Sequence, residues 1–429
     1  MRCARSSARS RCEPVSGWRW RRWAAPVAAI CLVAGVSLSR GLRFEFDFHH
    51  FYRDARYVWE HAALNPDLDG PDPLARRQLP FYLPTVSVLL APMTAAGRIP
   101  AAILWTIMQV ASLVVVLAGL KRRRAGSTQA GSVALLLAAP ALFEAAKFNQ
   151  LTLPILAMAT LALRALERSQ PVRAGFWLAL AAVVKLLPAV FLLWLVRQGR
   201  FKAGAAMTAW AALLALVPPL LVLGPAETLA AHRQWWSYNA GGAAASGLND
   251  PTLRAHFNDH RNQSLAAVLG RCCWREHPHP APLRFADLSP QTCARVAQLV
   301  TGALLVAALY LMRPIREGVP DESVVLRCDV ALSLLLMLIV APLLRTYYLL
   351  WALPAIVLFC ESAARRERIG RAGAIVWLAG MAAWLSDTAR TYGVHLTMLI
   401  CMAGLLLVLR RAASEPTEHD AGVVPAEAE

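Results

Sequence analysis

The chain has 429 residues, of which 57% are hydrophobic and only 17% are charged. A soluble domain carries about a quarter charged residues, so this composition argues against a soluble protein. Basic residues outnumber acidic ones by 44 to 27, which gives a net charge of +17. In a soluble protein this excess would indicate nucleic acid as a partner. Here the arginines lie at the ends of apolar runs, where they indicate membrane orientation and contacts with anionic membrane lipids. We therefore expect no nucleic acid partner.

The N-terminal region combines a basic stretch, Arg2 to Arg22, with an apolar run from Trp23 to Leu38. A secretory signal peptide has the same order, but no small-residue cleavage site follows and many more apolar runs do. We therefore predict a basic cytoplasmic N-terminus over residues 1–22 and an uncleaved first span after it.

Further apolar runs follow at 100–120, 131–146, 151–166, 174–196, 203–223, 294–312, 328–343, 347–361, 372–386 and 394–409. Basic clusters separate many of them, and the positive-inside rule places these clusters in the cytoplasm. Both ends of the run 174–196 are basic, so we expect Pro188 to break it into a hairpin of two half-helices. The segment from Phe81 to Gly97 contains two prolines, so we predict a broken or interfacial segment there and not a span. The prediction is an all-α, polytopic transmembrane bundle of about twelve spans, some of them short, broken or re-entrant.

This topology divides the chain into three parts. Residues 1–22 precede a transmembrane domain over 23–410, which carries extracytoplasmic loops at 40–99 and 224–293. An acidic, disordered cytoplasmic tail is expected over 411–429. The polar residues that stand out gather on the extracytoplasmic side of this arrangement, which predicts a multi-pass cell-membrane protein with its site on that face.

The first loop places Asp47 among aromatic residues directly after the first span. Apolar surroundings raise the pKa of a carboxylate and suit it to act as a general base. The alternative is an aromatic belt at the membrane interface whose charges face water. Lys185 lies beside the break in an apolar run, where it either snorkels to the interface or binds a phosphate group. Arg345 at a helix end can fork two hydrogen bonds to phosphate, or serve a structural role.

The large loop pairs Trp235 with amide side chains at Asn262 and Gln263. Sugar rings stack on indole while their hydroxyls take hydrogen bonds, so this loop is a candidate sugar site; interfacial tryptophan anchors are the alternative. Asn262-Gln263-Ser264 also fits a glycosylation sequon, which is a weak three-residue match.

The cysteines predict no metal site. Cys3 and Cys12 lack partners at metal-site spacing. Cys272, Cys273 and Cys293 share the large loop, where a disulfide between one pair and free thiols are both compatible with the sequence. No glycine-rich phosphate loop, nucleotide fingerprint or HExxH helix is present, so we expect no cofactor and no soluble nucleotide-driven chemistry.

A set of short motifs in order along the chain resembles glycosyltransferase family 87, whose members use polyprenol-phosphate sugars and have the GT-C membrane fold. The motifs are Phe46-Asp47-Phe48 with Tyr52, Phe81-Tyr82-Leu83-Pro84, Asn149-Gln150, Lys185-Leu186-Leu187-Pro188, Asn262-Gln263-Ser264-Leu265, and Ala341-Pro342 with Trp351-Ala352-Leu353-Pro354. The similarity spans residues 23 to 410.

The resemblance implies transfer of a hexose, commonly mannose, from a polyprenyl-phosphate sugar to a glycolipid or polysaccharide acceptor outside the membrane, with inversion. Asp47 takes the position of the family's catalytic aspartate, and the donor phosphate is assigned to Lys185, Arg345, Tyr347 and Tyr348. Substrate contacts are assigned to a further set: Tyr52, Asn149, Gln150, Trp235, Asn262 and Gln263. Family members often show a histidine pair where this chain has Tyr347-Tyr348, and tyrosine carries no positive charge at neutral pH.

The alternative function is a non-catalytic transporter or lipid-linked sugar flippase, because broken helices such as 174–196 are also typical of transporters. A transporter, however, places its key polar groups near the midplane between inverted repeats, and no repeat is evident. An inactive relative that serves as a scaffold is a third possibility.

Overall fold

The computed structural model describes residues 18–64, 82–120, 127–239, 259–314 and 321–414. The regular structure in these ranges is helical, and their one β feature is an isolated bridge between Trp274 and Leu288. The predicted all-α class is therefore confirmed. Most of the basic N-terminus and of the acidic tail, including 415–429, falls outside the described residues.

The helices are, in chain order, α1 (Trp18–Leu42), α2 (Phe46–His61), α3 (Pro84–Thr94), α4 (Arg98–Leu120), α5 (Ser127–Leu137), α6 (Ala139–Lys147), α7 (Thr152–Glu167), α8 (Pro171–Val184), α9 (Val190–Arg197), α10 (Phe201–Leu223), α11 (Pro225–Asn239), α12 (Leu265–Cys273), α13 (Pro290–Leu311), α14 (Glu322–Ile339), α15 (Leu353–Ala364), α16 (Arg368–Ala383), α17 (Asp387–Thr391) and α18 (Val394–Ser414). Two 3₁₀ segments, Leu187–Ala189 and Thr346–Ala352, precede α9 and α15.

Six helical segments in the described residues are long and apolar enough to cross a membrane, or seven if one bent pair counts as a span. They are Trp23–Leu42, Arg98–Leu120, Phe201–Leu223, Pro290–Leu311, Thr346–Ala364 and Val394–Ser414. The predicted count of about twelve is not confirmed, because α7 and α16 have only 16 residues each and a span needs about 20. The predicted loop 40–99 contains α2 and α3, and the predicted loop 224–293 contains α11 and α12.

Two apolar runs are interrupted. As predicted, the run 174–196 breaks at Lys185, whose backbone is extended (φ −153°, ψ 132°) between α8 and the 3₁₀ turn before α9. The run 131–146, expected to be one span, bends by 56° between α5 and α6. Pro140, in the first turn of α6, explains this bend because proline lacks the N–H that a continuous helix needs. The hairpin geometry of 174–196 stays a prediction.

Close helix packing and lipid-facing surface are both evident along α8, α10 and α13. A Cβ atom on Gly175 of α8 would meet the Ala203 carbonyl oxygen of α10 at 2.7 Å, so only glycine permits this approach. Large apolar side chains are exposed on the outside of the bundle, including Leu221 (80%), Leu299 (74%) and Val306 (67%). Exposed apolar surface on this scale indicates contact with lipid.

Buried ion pairs define one end of the bundle. Arg327 in α14 forms a two-pronged pair with Glu361 at the end of α15, with distances of 3.0 and 3.2 Å. Two residues further along α14, Asp329 is paired with Arg410 of α18. Since α14 has 18 residues, it rises roughly 27 Å at about 1.5 Å per residue. Its other end leads towards Arg345, so this basic end and the Arg345 segment lie at opposite ends of α14.

Candidate functional site

Asp47 lies in the first turn of α2, just after a sharp turn from α1. Phe44 and Phe46, on either side of Glu45, have φ values of 61° and 55°. Non-glycine residues adopt this left-handed region rarely, and such strain persists where the surrounding structure fixes it. The turn sets Asp47 at the N-terminus of α2, where the helix dipole favours a negative charge.

Protein surrounds the Asp47 carboxylate, although the side chain keeps part of its accessible surface. Burial raises the pKa of Asp47 from 3.8 to about 7, while the positive charges of Lys185 and Arg345 lower it by smaller amounts. A carboxylate with a pKa near neutrality both accepts and releases a proton at physiological pH. The Asp47 carboxylate can therefore take up a proton at physiological pH.

Lys185, at the break between α8 and α9, acts on the Asp47 carboxylate through its charge. Its Nζ donates a hydrogen bond to the Tyr348 hydroxyl and lies 4.1 Å from the centre of the Tyr348 ring. The same Nζ lies 5.6 Å from the centre of the Tyr82 ring. Contact with ring faces stabilises an ammonium group but supplies no counter-charge.

Arg345 approaches from the segment after α14. Its guanidinium pairs with the Asp259 carboxylate at 3.0 Å and acts electrostatically on Asp47. The preceding residue is fixed on both sides, because Leu344 N donates to the Asn262 side chain at 3.0 Å and Leu344 O accepts from Gln263 N at 2.8 Å. The large loop therefore positions Arg345.

An aromatic wall joins these groups. The rings of Phe46 and Phe148 have centroids 4.8 Å apart, and Phe148 lies 5.5 Å from Tyr347. Tyr347 and Tyr348 are both buried, share a hydrogen bond, and interact electrostatically with Asp47. One acid, two cations and two phenols thus converge beside an apolar surface.

A family model described as glycosyltransferase family 87 matches residues 81–342, which is more than half of the chain. The chain belongs to glycosyltransferase family 87. Together with its apolar helices, this membership makes it a membrane glycosyltransferase and confirms the resemblance seen in the sequence. No curated protein and no solved structure matches the chain. The GT-C fold that the resemblance implies stays a prediction.

The match covers part of the candidate site of this family 87 chain. Lys185 and Tyr82 lie inside the matched residues, as does the Asn262 segment. Asp47 precedes the match and Arg345 follows it, so their roles rest on their convergence with Lys185.

Several predicted substrate residues of the family 87 protein make structural contacts. Asn262 and Gln263 are completely buried. Besides holding Leu344, Asn262 Nδ2 donates to the Pro342 carbonyl at 3.4 Å, and Gln263 Nε2 donates to the Arg390 carbonyl at 2.7 Å. Burial of Asn262 also makes the sequon inaccessible in the folded chain. These amides act on the site through the backbone that carries Arg345.

Asn149 and Gln150 are neighbours in sequence but make contacts in different parts of the structure. Asn149 is buried in the left-handed conformation (φ 53°), and its side chain exchanges hydrogen bonds with Ser37 of α1. Gln150 is bonded to the side chain of Tyr347, while its carbonyl accepts from Gln109 at 2.8 Å. The structure therefore joins Gln150 to the aromatic wall and places Asn149 behind it.

Tyr52 and Trp235 have their described ring contacts elsewhere. Tyr52 packs on Phe44 and Phe48, at centroid distances of 5.3 and 6.1 Å. Trp235 is buried on α11, with its ring 6.5 Å from that of Trp236.

Two site residues were missing from the sequence prediction. Tyr82, whose pKa burial raises well above its usual value with a further contribution from the Asp47 charge, lines the site beside Lys185. Asp259 holds Arg345. Tyr82 lies within the motif Phe81-Tyr82-Leu83-Pro84, and Asp259 lies three residues before the motif that begins at Asn262, so adjacency to a motif was the available signal.

Arg271 organises the large loop from a fully buried position. It donates to the carbonyls of Asn262 at 2.9 Å and Thr391 at 2.9 Å, and to those of Asp259 and Arg390 at 3.3 and 3.4 Å. A buried guanidinium with several carbonyl acceptors fixes the segments it joins. The loop that supplies Asp259 is thereby tied to α17.

The ligating side chains of the described ranges form no group of three or more that could hold a metal ion. Cys272, Cys273 and Cys293 lie together in one buried apolar cluster as free thiols.

Proposed function

We propose that this family 87 glycosyltransferase moves a hexose, with mannose as the first candidate, from a polyprenyl-phosphate donor to a hydroxyl of a glycolipid or glycan acceptor. The observation that carries the proposal is the convergence of Asp47, Lys185 and Arg345 from three distant stretches of chain. A base beside two cations matches a reaction in which a hydroxyl loses a proton and a phosphate gains charge.

In the proposed step, Asp47 accepts the proton of the acceptor hydroxyl while its oxygen attacks the anomeric carbon. The bond between that carbon and the phosphate oxygen breaks, the configuration inverts, and polyprenyl phosphate leaves with the electron pair. The raised pKa of Asp47 supports this role, because a base with a pKa near 7 is stronger than an ordinary carboxylate and still ionised in part.

Lys185 and Arg345 stabilise the leaving phosphate in this proposal. Charge that develops in the transition state is stabilised most by cations that are already in place. Tyr82 and Tyr348 hold Lys185, and Asp259 holds Arg345. Tyr347 and Tyr348 add hydroxyl groups that can bond phosphate oxygens in place of the family's histidine pair.

The proposed location of the site is the extracytoplasmic face of the cell membrane. The bundle end that carries Arg327 and Arg410 is the basic end, which the positive-inside rule assigns to the cytoplasm. The ion pairs at Arg327 and Asp329 precede Ile339, the last residue of α14, by twelve and ten residues. At about 1.5 Å per residue, roughly 15–18 Å of helix separates them from the segment leading to Arg345. A membrane-impermeant thiol reagent applied to intact cells tests this orientation through a cysteine introduced at exposed Leu385.

The test of the reaction uses the purified protein in lipid nanodiscs with a panel of radiolabelled polyprenyl-phosphate sugars and a glycolipid acceptor extract. We expect one donor to be consumed, and Asp47→Asn to lower turnover by about 10²- to 10⁴-fold. Glu60→Gln is the matched control, since Glu60 lies on the same helix but is exposed and paired with Arg56 at 2.6 Å.

Donor binding is measured separately on the same variants. Asp47→Asn should bind donor as the wild type does, because the phosphate-binding cations remain. Full sugar transfer by Asp47→Asn would remove Asp47 from the mechanism. Movement of the donor across the bilayer without any transfer would favour the flippase, the alternative that the broken helix at Lys185 supports.

A further inference from the structure

A cavity of about 410 Å³ lies at the basic end of the bundle, far along α14 from Asp47. It is lined by Arg197 at the end of α9 and by Tyr310, Arg313 and Pro314 at the end of α13. This volume falls within the range of about 300–1,000 Å³ that is usual for small-molecule sites. The transfer reaction proposed above uses none of these residues.

The C-terminus of α13 is capped by side chains from other helices. Arg197 Nε donates to the Leu309 carbonyl at 3.0 Å, and Gln198 Nε2 donates to the Met312 carbonyl at 3.1 Å. Arg410 donates to the carbonyl of Arg313. Uncapped carbonyls at a helix end repel an anion, so these donors remove the main obstacle to anion binding here.

The cavity carries an excess of positive charge. The Arg313 side chain is exposed, and no carboxylate in the described part of the chain pairs with it. The two acidic residues of α14 have partners of their own, with Glu322 at 3.5 Å from Arg200 and Asp329 paired with Arg410. Arg197 is held in place by its bonds to α13, which reduces the entropy lost when it binds a ligand.

The rim of the cavity is apolar and faces outwards. Tyr310 is 73% exposed, Leu311 is 54% exposed, and Val196 on α9 is 50% exposed. Tyrosine beside exposed aliphatic residues at the end of a span is typical of the membrane interface. A ligand in this cavity would therefore have its charged group on the arginines and its apolar part along α13.

We propose that this cavity binds the phosphodiester headgroup of an anionic phospholipid, with Arg197 and Arg313 contacting the phosphate and the acyl chains lying along α13. Basic pockets between helices on the cytoplasmic side of a membrane are suited to such headgroups. The site is independent of the sugar-transfer reaction and anchors α9 to α13 through the lipid.

The experiment is native mass spectrometry of the delipidated full chain titrated with phosphatidylglycerol or phosphatidylcholine. We expect the wild type to prefer phosphatidylglycerol, and Arg313→Gln to lower its affinity for that lipid about fivefold, the effect of one arginine near an anionic surface. Arg313 makes no side-chain bond that the fold requires, so the variant should remain folded. Arg173→Gln is the control, because it removes an exposed arginine from the start of α8.

Three outcomes overturn the proposal. One is an equal affinity of the wild type for both lipids, and another is an equal loss in Arg313→Gln and Arg173→Gln. The third is displacement of phosphatidylglycerol by millimolar inorganic phosphate, which would make the cavity a general phosphate site. Retention of the lipid against inorganic phosphate, with the loss confined to Arg313→Gln, supports it.

Discussion

The pH dependence of the transfer reaction provides the sharpest test of the candidate site. A general base works only when it is deprotonated. Burial raises the pKa of Asp47 to about 7 and lowers that of Lys185 to about 7. We therefore expect kcat/KM to rise about tenfold per pH unit on the acidic side and to fall on the alkaline side, where Lys185 loses its charge. An ordinary aspartate, with a pKa near 3.8, would leave the rate flat on the acidic side.

The substitution Lys185→Met should shift the pH at which kcat/KM rises, and the structure predicts the direction of that shift. The Lys185 charge lowers the pKa of Asp47, so its removal should raise that pKa and shift the acidic limb to higher pH. We expect a shift of about one pH unit, the lower end of the range that a nearby opposite charge produces. The maximal rate should also fall because the leaving phosphate loses a cation, but the position of the limb is independent of that loss.

The assay is steady-state transfer from the active donor between pH 5 and 9, at constant ionic strength. Lys147→Met serves as the control. Lys147 lies 5.2 Å from the centre of the Phe148 ring and pairs with Glu144 at 3.2 Å, but it is not among the charges that act on Asp47. An unchanged limb in Lys185→Met, or a wild-type limb near pH 4, would refute the proposed electrostatics.

Three further variants test the fold and the positioning of the site. Glu361→Gln should destabilise the protein by about 3–5 kcal/mol because it leaves a buried arginine unpaired, whereas Glu60→Gln, at an exposed pair, should change stability by less than about 1 kcal/mol; equal midpoints in thermal unfolding would contradict this. Gly175→Val should lower the thermal midpoint by forcing α8 away from α10, since its Cβ would lie 2.7 Å from a backbone oxygen; an unchanged midpoint would show that the helices separate at no cost. Asp259→Asn should raise the donor KM more than it lowers kcat, because Arg345 loses its 3.0 Å partner; unchanged kinetics would remove Asp259 from the site.

The family and the membrane class were readable from the sequence because both depend on local features. Apolar runs bounded by arginines indicate membrane segments whatever the tertiary packing is. Pro188 interrupts a helix through its own covalent geometry. The ordered motifs around Asp47, Lys185 and Asn262 were enough for the family. The number of spans was not readable, because helix bends and helix lengths depend on packing: α5 and α6 meet at 56° within the apolar run 131–146.

Individual roles were harder to assign, because an amide has the same sequence signature whether it binds a sugar or a backbone. Asn262 was predicted to contact substrate, and the structure shows its side chain holding Leu344, 82 positions away in the sequence. Asp259 was not among the predicted site residues, although it positions Arg345. Contacts between residues so far apart in the chain leave no signal in residue spacing or in short motifs.

The sequence by itself determined that this chain is a helical membrane protein of glycosyltransferase family 87, with ionisable residues at helix ends and at the break after α8. Only the tertiary structure decided which of these residues share one environment. The pKa of Asp47 depends on how much water the surrounding rings exclude and on the charges of Lys185 and Arg345. Desolvation and Coulomb interactions act through space, so they are fixed when distant segments pack together and not before.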